Sequence, residues 1–547
     1  MRNWPVMQKT GGAILFAALV ALTGCGGGGN STTPTGTVNV SFTDAPSSDF
    51  DKVWVTVKAI RFHTSDTATA DAGGWLTFQL PQPVTLDLAA LNNGAMSSIF
   101  SSLSLPEGRY QQIRLMLAGP FDTLTASASG QSLTWNDEVD YTDGTGSHQA
   151  PLEVARPEKG IVLHGQFQVA ASTPLHLAVD FNLDDDILKF VRGTTTAFTL
   201  APQLHYYDLD NAGAITGQLD TTALYPTNAS GAWNVIIKAE DVTQDGSRHY
   251  MVRATSLKPD GSFRLYPLPI PVGQSTRNLD VVIRGRNMET LIVKGVQVTR
   301  SSDGTTNAAV VQSTPLAIPL GTEYTTNVSP AASPTGGLVN FFQTLSSDPA
   351  PYEIRIHPLN PFTGTFSDDF ALSTGNLHTG NWSSGGAITF TSEAPVEGTG
   401  NFTAVNSALL YSSSTRTVTQ GTSPVTINFG ALSVNSALAT SDSISGSVTQ
   451  ALAGHYDRGF LVVSRDGMIT TTLDLTTTLA LNGGAGGAYS IAALPGGSVA
   501  LPRPGLVYYL YAVVWNSSAP ALSYRVVPVT TAADLSTGNA SGINLGL

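Results

Sequence analysis

The chain has 547 residues, enough for about three to five domains of roughly 100–200 residues each. Hydrophobic residues make up 41% and support real cores, while charged residues make up only 12%, about half the usual share. With 27 basic against 40 acidic side chains the net charge is −13. That is the wrong sign for a nucleic-acid partner, which needs a basic footprint. The 54 glycines and 31 prolines mark a turn-rich chain, short of the content that signals disorder.

The N-terminus carries an address. Arg2 and Lys9 flank the start of an apolar run, Gly11 to Leu22, too short to span a bilayer. Cys25 is the only cysteine, so no internal disulfide forms. Leu22-Thr23-Gly24-Cys25 resembles a bacterial lipobox. The resemblance implies that residues 1–24 are a lipoprotein signal peptide and that the Cys25 thiol and its freed amine are acylated. Gly26 in place of Asp implies sorting to the outer membrane. Each buried CH₂ of such an anchor contributes ~0.8 kcal/mol. Residues 25–37, rich in Gly, Ser and Thr, form a flexible tether with a reach of about 20 Å.

From there the pattern is β. Val53-Trp54-Val55-Thr56-Val57 and Leu175-His176-Leu177-Ala178-Val179 alternate. Gly73-Gly74, Asp143-Gly144, Asp260-Gly261 and Asp303-Gly304 punctuate short runs as turns. Met96, Ile99, Phe100 and Leu103 have helical spacing and predict one or two helical turns. The expected fold class is all-β, tandem β-sandwich modules with very little helix.

The first module is expected over residues 38–210. It carries Thr43-Asp44-Ala45-Pro46, the Val53 to His63 run, Leu86-Asp87-Leu88, Leu105-Pro106-x-Gly108-x-Tyr110, Val179-Asp180-Phe181 and Leu200-Ala201-Pro202. In this order the motifs resemble domain of unknown function 4382, which implies a β-sandwich on an envelope lipoprotein and transfers no catalytic residue. Downstream, Gly261-Ser-Phe263-Arg-Leu265-Tyr-Pro-Leu268-Pro269 repeats as Gly487-Ala-Tyr489-Ser-Ile491-Ala-Ala-Leu494-Pro495, and Gly213 to Leu219 pairs loosely with Ser443 to Val448. Self-similarity at long period indicates tandem modules. These units resemble carboxypeptidase-regulatory-like, transthyretin-type β-sandwiches, expected over 211–333 and 441–547. A further module of uncertain fold is expected over 334–440, opened by Gly336-Gly337-Leu338-Val339 and closed by Thr426-Ile427-Asn428-Phe429. Ile543-Asn544-Leu545 reads as the matching closing strand of the last module.

Catalytic signatures are missing. There is no G-x-S-x-G and no H-E-x-x-H, and the nine histidines, His63, His164, His176 and His205 among them, are dispersed. No catalytic residue, cofactor or catalytic metal is expected. Asp184-Asp185-Asp186 forms an acidic cluster. Asp208-x-Asp210-Asn211 presents hard oxygens at close spacing, a calcium candidate beside its reading as a solvated linker. Asp44, Asp87 and Asp180 read as turn and strand-end residues. If Val53, Val55 and Val57 face the core, Trp54 faces out. Tyr509, Tyr511 and Trp515 share one face of their strand. These four rings are candidates to stack a sugar or a partner side chain, or else they cover contacts between modules.

The resulting expectation is a lipid-anchored string of β-sandwiches in the bacterial envelope. It is expected to be non-enzymatic, acting in binding, adhesion or surface scaffolding. Its partners would be the membrane, through the lipid, and a glycan or an envelope or surface protein. Carbohydrate binding is the alternative, and a secreted hydrolase a third reading.

Overall fold

The computed structural model describes residues 34–45, 50–124, 133–171, 173–192, 195–200, 202, 204–224, 235–301, 304–329, 334–366, 370–498, 506–519 and 524–547. The expected signal peptide, Cys25 and most of the expected tether lie outside the described residues. Among the described residues no helix is long and apolar enough to cross a membrane.

The described residues build four β-sandwiches, each a small sheet of three or four strands facing a larger one. One seven-strand order recurs in all four. The opening strand lies inside the small sheet, between a later antiparallel strand and the closing parallel strand. In the first sandwich these are Thr35–Ala45, Ser97–Pro106 and Leu175–Asn182. In the second they are Ala212–Gln218, Ser262–Pro269 and Ala309–Val310. In the third they are Glu323–Val328, Phe370–Ser373 and Val425–Ile427. In the fourth they are Thr440–Thr449, Ala488–Gly496 and Leu545–Gly546.

The large sheets share an order too. The chain's second strand lies between its hairpin partner and a third strand, which then pairs with a fourth. Lys52–His63, Val235–Val242, Leu338–Leu345 and Arg458–Arg465 hold that second position. The fourth position is taken by Ile161–Val169, Thr290–Thr299, Ser414–Val418 and Arg525–Pro528. Inward side chains alternate with outward ones, and each sandwich closes on its own apolar core.

The repeated sequence motif has a packing cause. Gly217 lies opposite Phe263 and Gly446 opposite Tyr489. A Cβ at Gly217 would sit 2.5 Å from Phe263 Cζ, and one at Gly446 would sit 2.0 Å from the Ile543 carbonyl oxygen. Glycine is what lets ring and backbone approach there.

Three expectations need correction. Met96, Ile99, Phe100 and Leu103 do not form a helix. Ser97–Pro106 is a strand pairing with Thr35–Ala45, because cross-strand partners override local periodicity. Gly336 to Val339 does not open the third sandwich. Leu338–Leu345 starts its large sheet, and Glu323–Val328 is the opening strand. The strands therefore put the border between second and third sandwiches before Glu323, earlier than the expected break after residue 333. The third sandwich also lends Leu377–Asn381 and Thr391–Glu393 to the large sheet of the second.

Candidate functional site

The sandwiches do not hang as a string. They close on one another, and chemistry-bearing side chains concentrate in the seams.

Between first and second, Arg253 is buried and pairs with Asp180. It also donates to Thr43 Oγ1 at 3.1 Å and to the Asp44 carbonyl at 3.0 Å. The Asp44 carboxyl is fully buried and accepts from Leu183 N at 3.3 Å. Burial pushes it well above the usual carboxylate range, with the nearby Asp180 charge adding to the rise. Asp44 and Asp180 thus lie near the ends of their strands, as read, and Asp180 holds the buried ion pair. Asp87 ends its strand and accepts from Val53 N at 3.1 Å.

Between second and third, Lys238 Nζ lies 3.1 Å from Glu353 Oε1, and Asn340 Nδ2 donates to Glu353 Oε2 at 2.8 Å. Glu353 N donates to Glu240 Oε2 at 3.2 Å. Burial raises the Glu240 carboxyl well above its ordinary value. Val282 and Ile292, on the outer face of the second sandwich, join the third core beside Phe341 and Tyr352. Tyr352 donates to Asp280 and Asp348, and Lys294 pairs with Asp348 at 3.0 Å.

Between third and fourth, Gly336 N donates to the Thr470 carbonyl at 3.2 Å, and Tyr411 Oη to the Ala493 carbonyl at 2.8 Å. The fourth then returns to the first. Arg156 Nη1 donates to the carbonyls of Leu510 at 2.8 Å and Val529 at 3.2 Å. Val162 N donates to the Asp466 carbonyl at 3.1 Å. Tyr524 donates to Glu153, and Phe190 of the first sandwich stacks on Phe362 of the third at 4.3 Å.

Three of the predicted stacking residues lie in a seam, and the fourth is covered within the first sandwich. Trp54 is only 9% exposed, and the expectation that it faces solvent is corrected. Its indole points at Asp140 Oδ2 at 3.5 Å with Lys52 over the ring. On the same strand Thr56 Oγ1 donates to the Asn136 carbonyl at 2.5 Å, and Thr56 N donates to Asp137 at 2.7 Å. Tyr509, Tyr511 and Trp515 do share a face, but the face is closed. Tyr511 and Trp515 pack with Ala155, Ile469 and Phe362, and Tyr509 lies under Arg156 and Lys159 of the first sandwich. The whole strand Val507–Trp515 is covered on both sides, as its unbroken apolar sequence signals.

At the calcium candidate the carboxylates have protein partners. Asp208 accepts from Asp210 N at 3.0 Å and from Asn211 Nδ2 at 2.8 Å, while Asp210 faces His176 Nδ1 at 3.0 Å. The two carboxylates serve a turn and a histidine. Among the described residues no group of three or more His, Cys, Asp or Glu side chains is placed to hold a metal ion. In the acidic cluster, Asp186 is buried and accepts from Asn182 N at 2.9 Å.

Sequence reading missed Arg253, Lys238, Glu240, Glu353 and His249. One signal was present. Lys238 and Arg253 interrupt apolar strands, VIIKAEDV and HYMVRATS, where a charge is costly unless paired.

Fold and seams define the class: a tandem β-sandwich protein whose modules pack against one another through buried ionic contacts. Residues 35–202 match the family described as Domain of unknown function (DUF4382), which is the first sandwich and under a third of the chain. No curated protein matches the chain. Among solved structures the chain is similar to the Bacillus anthracis TIE protein, at 8% identity and TM-score 0.15 over 95% of this chain and 75% of that one. It is similar to a streptococcal ancillary pilin, at 10% identity and TM-score 0.14 over 61% and 98%. It is also similar to a tetra-tandem repeat from the extending region of a large adhesion protein, at 10% identity and TM-score 0.10 over 91% and 99%. Scores this low add nothing to the functional reading.

Proposed function

We propose that this protein is a non-enzymatic, lipid-anchored component of the bacterial cell envelope that acts in binding, adhesion or surface scaffolding. One observation carries the reading. The faces and charges that might have formed a working site are spent on joining sandwich to sandwich, as the burial of Tyr511, Arg253 and Lys238 illustrates. A body built this way resists deformation and presents its outer loops in fixed relation. The anchor at Cys25 and its outer-membrane location rest on the lipobox resemblance, and the membrane is the first partner. An envelope or surface protein is the second. The carbohydrate-binding alternative stood on the four candidate aromatics, on the low charge and on likeness to sandwich folds that bind glycans; the burial of Trp54, Tyr509, Tyr511 and Trp515 removes the first of the three.

The test is metabolic labelling with palmitate, followed by protease treatment of intact and lysed cells. Labelled protein in the membrane fraction, lost in Cys25→Ser, is expected. Cleavage on intact cells places the body outside and directs the partner search there, whereas protection until lysis places it in the periplasm. Unlabelled soluble protein, or turnover of an ester, peptide or glycan by the purified protein, overturns the reading.

A further inference from the structure

The seam between second and third sandwiches buries an amine, two carboxyl groups and a carboxamide together. On Val235–Val242, Ile237 and Ala239 face the second core. Lys238 and Glu240 therefore point the other way, toward the third sandwich. The register sets Lys238 opposite Val282 and Ala254 on its two neighbouring strands, both buried apolar residues. Glu353 touches the Lys238 amine with Oε1 at 3.1 Å and the Asn340 amide with Oε2 at 2.8 Å. Lys238, Asn340 and Glu353 are 2%, 4% and 3% exposed. One carboxyl group thus bridges a nucleophile and an acyl donor in a dry seam.

The charge balance favours reaction. An ammonium–carboxylate pair taken out of water carries a desolvation penalty of several kcal/mol per ion, and transfer of the proton from Nζ to the carboxylate removes both charges. The amine left behind is nucleophilic. Burial raises the Glu240 carboxyl well above its ordinary value, which disfavours a competing negative charge beside Glu353. Strands from two packed sandwiches fix the partners, which makes the step intramolecular.

We propose that Lys238 and Asn340 join in an isopeptide bond that ties the second sandwich to the third, with Glu353 as the catalytic residue. Nζ attacks Cγ of Asn340. Glu353 accepts a proton from Nζ and delivers one to the departing nitrogen. The Nζ–Cγ bond forms, the Cγ–Nδ2 bond breaks and ammonia leaves, with no change of oxidation state. The assignment does not depend on the functional reading above.

Peptide mapping of the full-length protein by mass spectrometry tests it. The expected product is a branched peptide joining the segment that holds Lys238 to the segment that holds Asn340. It is lighter by one ammonia than the two linear peptides together. Glu353→Gln should return both segments as linear peptides, and Lys238→Arg should do the same. Wild-type protein that yields both segments only as linear peptides overturns the proposal. So does an ammonia loss that maps within one segment. The wild-type map decides the matter even if a variant fails to fold.

Discussion

The imidazole of His249 lies flat on the phenol ring of Tyr352, with centroids 3.7 Å apart and planes 14° apart, across the seam between second and third sandwiches. Asp348 approaches the imidazole at 3.5 Å and Asp280 at 3.9 Å, with Lys294 beside them. Burial nevertheless pulls the His249 pKa below its ordinary value, because desolvation outweighs the two carboxylates. Desolvation pulls half-buried His357 down to about 3, with Arg355 adding to the effect.

A histidine held neutral in the folded state contributes stability above its unfolded pKa and loses it as pH falls through the folded one. For His357 that window runs from 6.5 down to about 3. Buried Asp44 and Glu240 have raised values and act with the opposite sign, since their contribution is lost as pH rises. Differences between variant and wild type separate the two. With His249→Gln and His357→Gln, the melting temperature relative to wild type should climb as pH is lowered from neutral toward 3. A difference that stays flat across that range contradicts the assignment.

Arg253 compensates Asp180 of the first sandwich. Arg253→Met leaves Asp180 buried without its partner and should destabilise by about 3–5 kcal/mol. The double variant Arg253→Met with Asp180→Asn should recover much of that loss. Calorimetry of both proteins measures the coupling, and two equal losses would show the pair is not coupled.

The return contact of the fourth sandwich on the first depends on Tyr511. Tyr511→Ala opens a cavity in that seam and should cost ~3–5 kcal/mol, the range for large aromatic truncations. Small-angle scattering should report a larger radius of gyration if the seam parts, and hydrogen exchange should quicken along Val507–Trp515. An unchanged radius together with unchanged exchange would place the strength of the closure elsewhere.

Gly217 and Gly446 hold equivalent positions but meet different obstacles. A methyl at Gly217 meets the end of the Phe263 ring, which can tilt, while one at Gly446 meets the backbone carbonyl of Ile543. Overpacking costs about 1–3 kcal/mol. Gly446→Ala should sit at or beyond the top of that range and Gly217→Ala nearer the bottom. Urea denaturation of the two variants ranks them, and the reverse order would refute the packing cause given to the motif.

Much of the architecture was readable because local chemistry and tertiary packing agree there. Phe263 and Tyr489 alternate into their cores opposite glycines, so the motif survives in sequence. The third sandwich keeps the strand order without that motif. Its opening strand carries Thr326, not a glycine, opposite Phe370, so the glycine-and-ring mark is missing from its sequence. The candidate site was read in the right strands, and of the two roles left open for Tyr509, Tyr511 and Trp515 the structure takes the contact between modules. Tyr509, Tyr511 and Trp515 were placed on one face, but what covers a face is decided by residues such as Ala155 and Phe362, far away in the chain. The seam charges were hidden for the same reason, since Lys238 finds Glu353 115 residues later.

The bond from Arg156 to the Leu510 carbonyl joins positions 354 residues apart. Contacts so distant in sequence form slowly, since the intervening chain must be ordered before they can be made. During synthesis or export the first sandwich is complete long before its last neighbour exists. Arg156, Glu153 and the rim around Val162 must then stay in water until Val507–Trp515 arrives. The order of assembly is therefore written into the closure: the seam between fourth and first is the last to set, and a chain halted before residue 507 keeps that rim open to any other strand it meets.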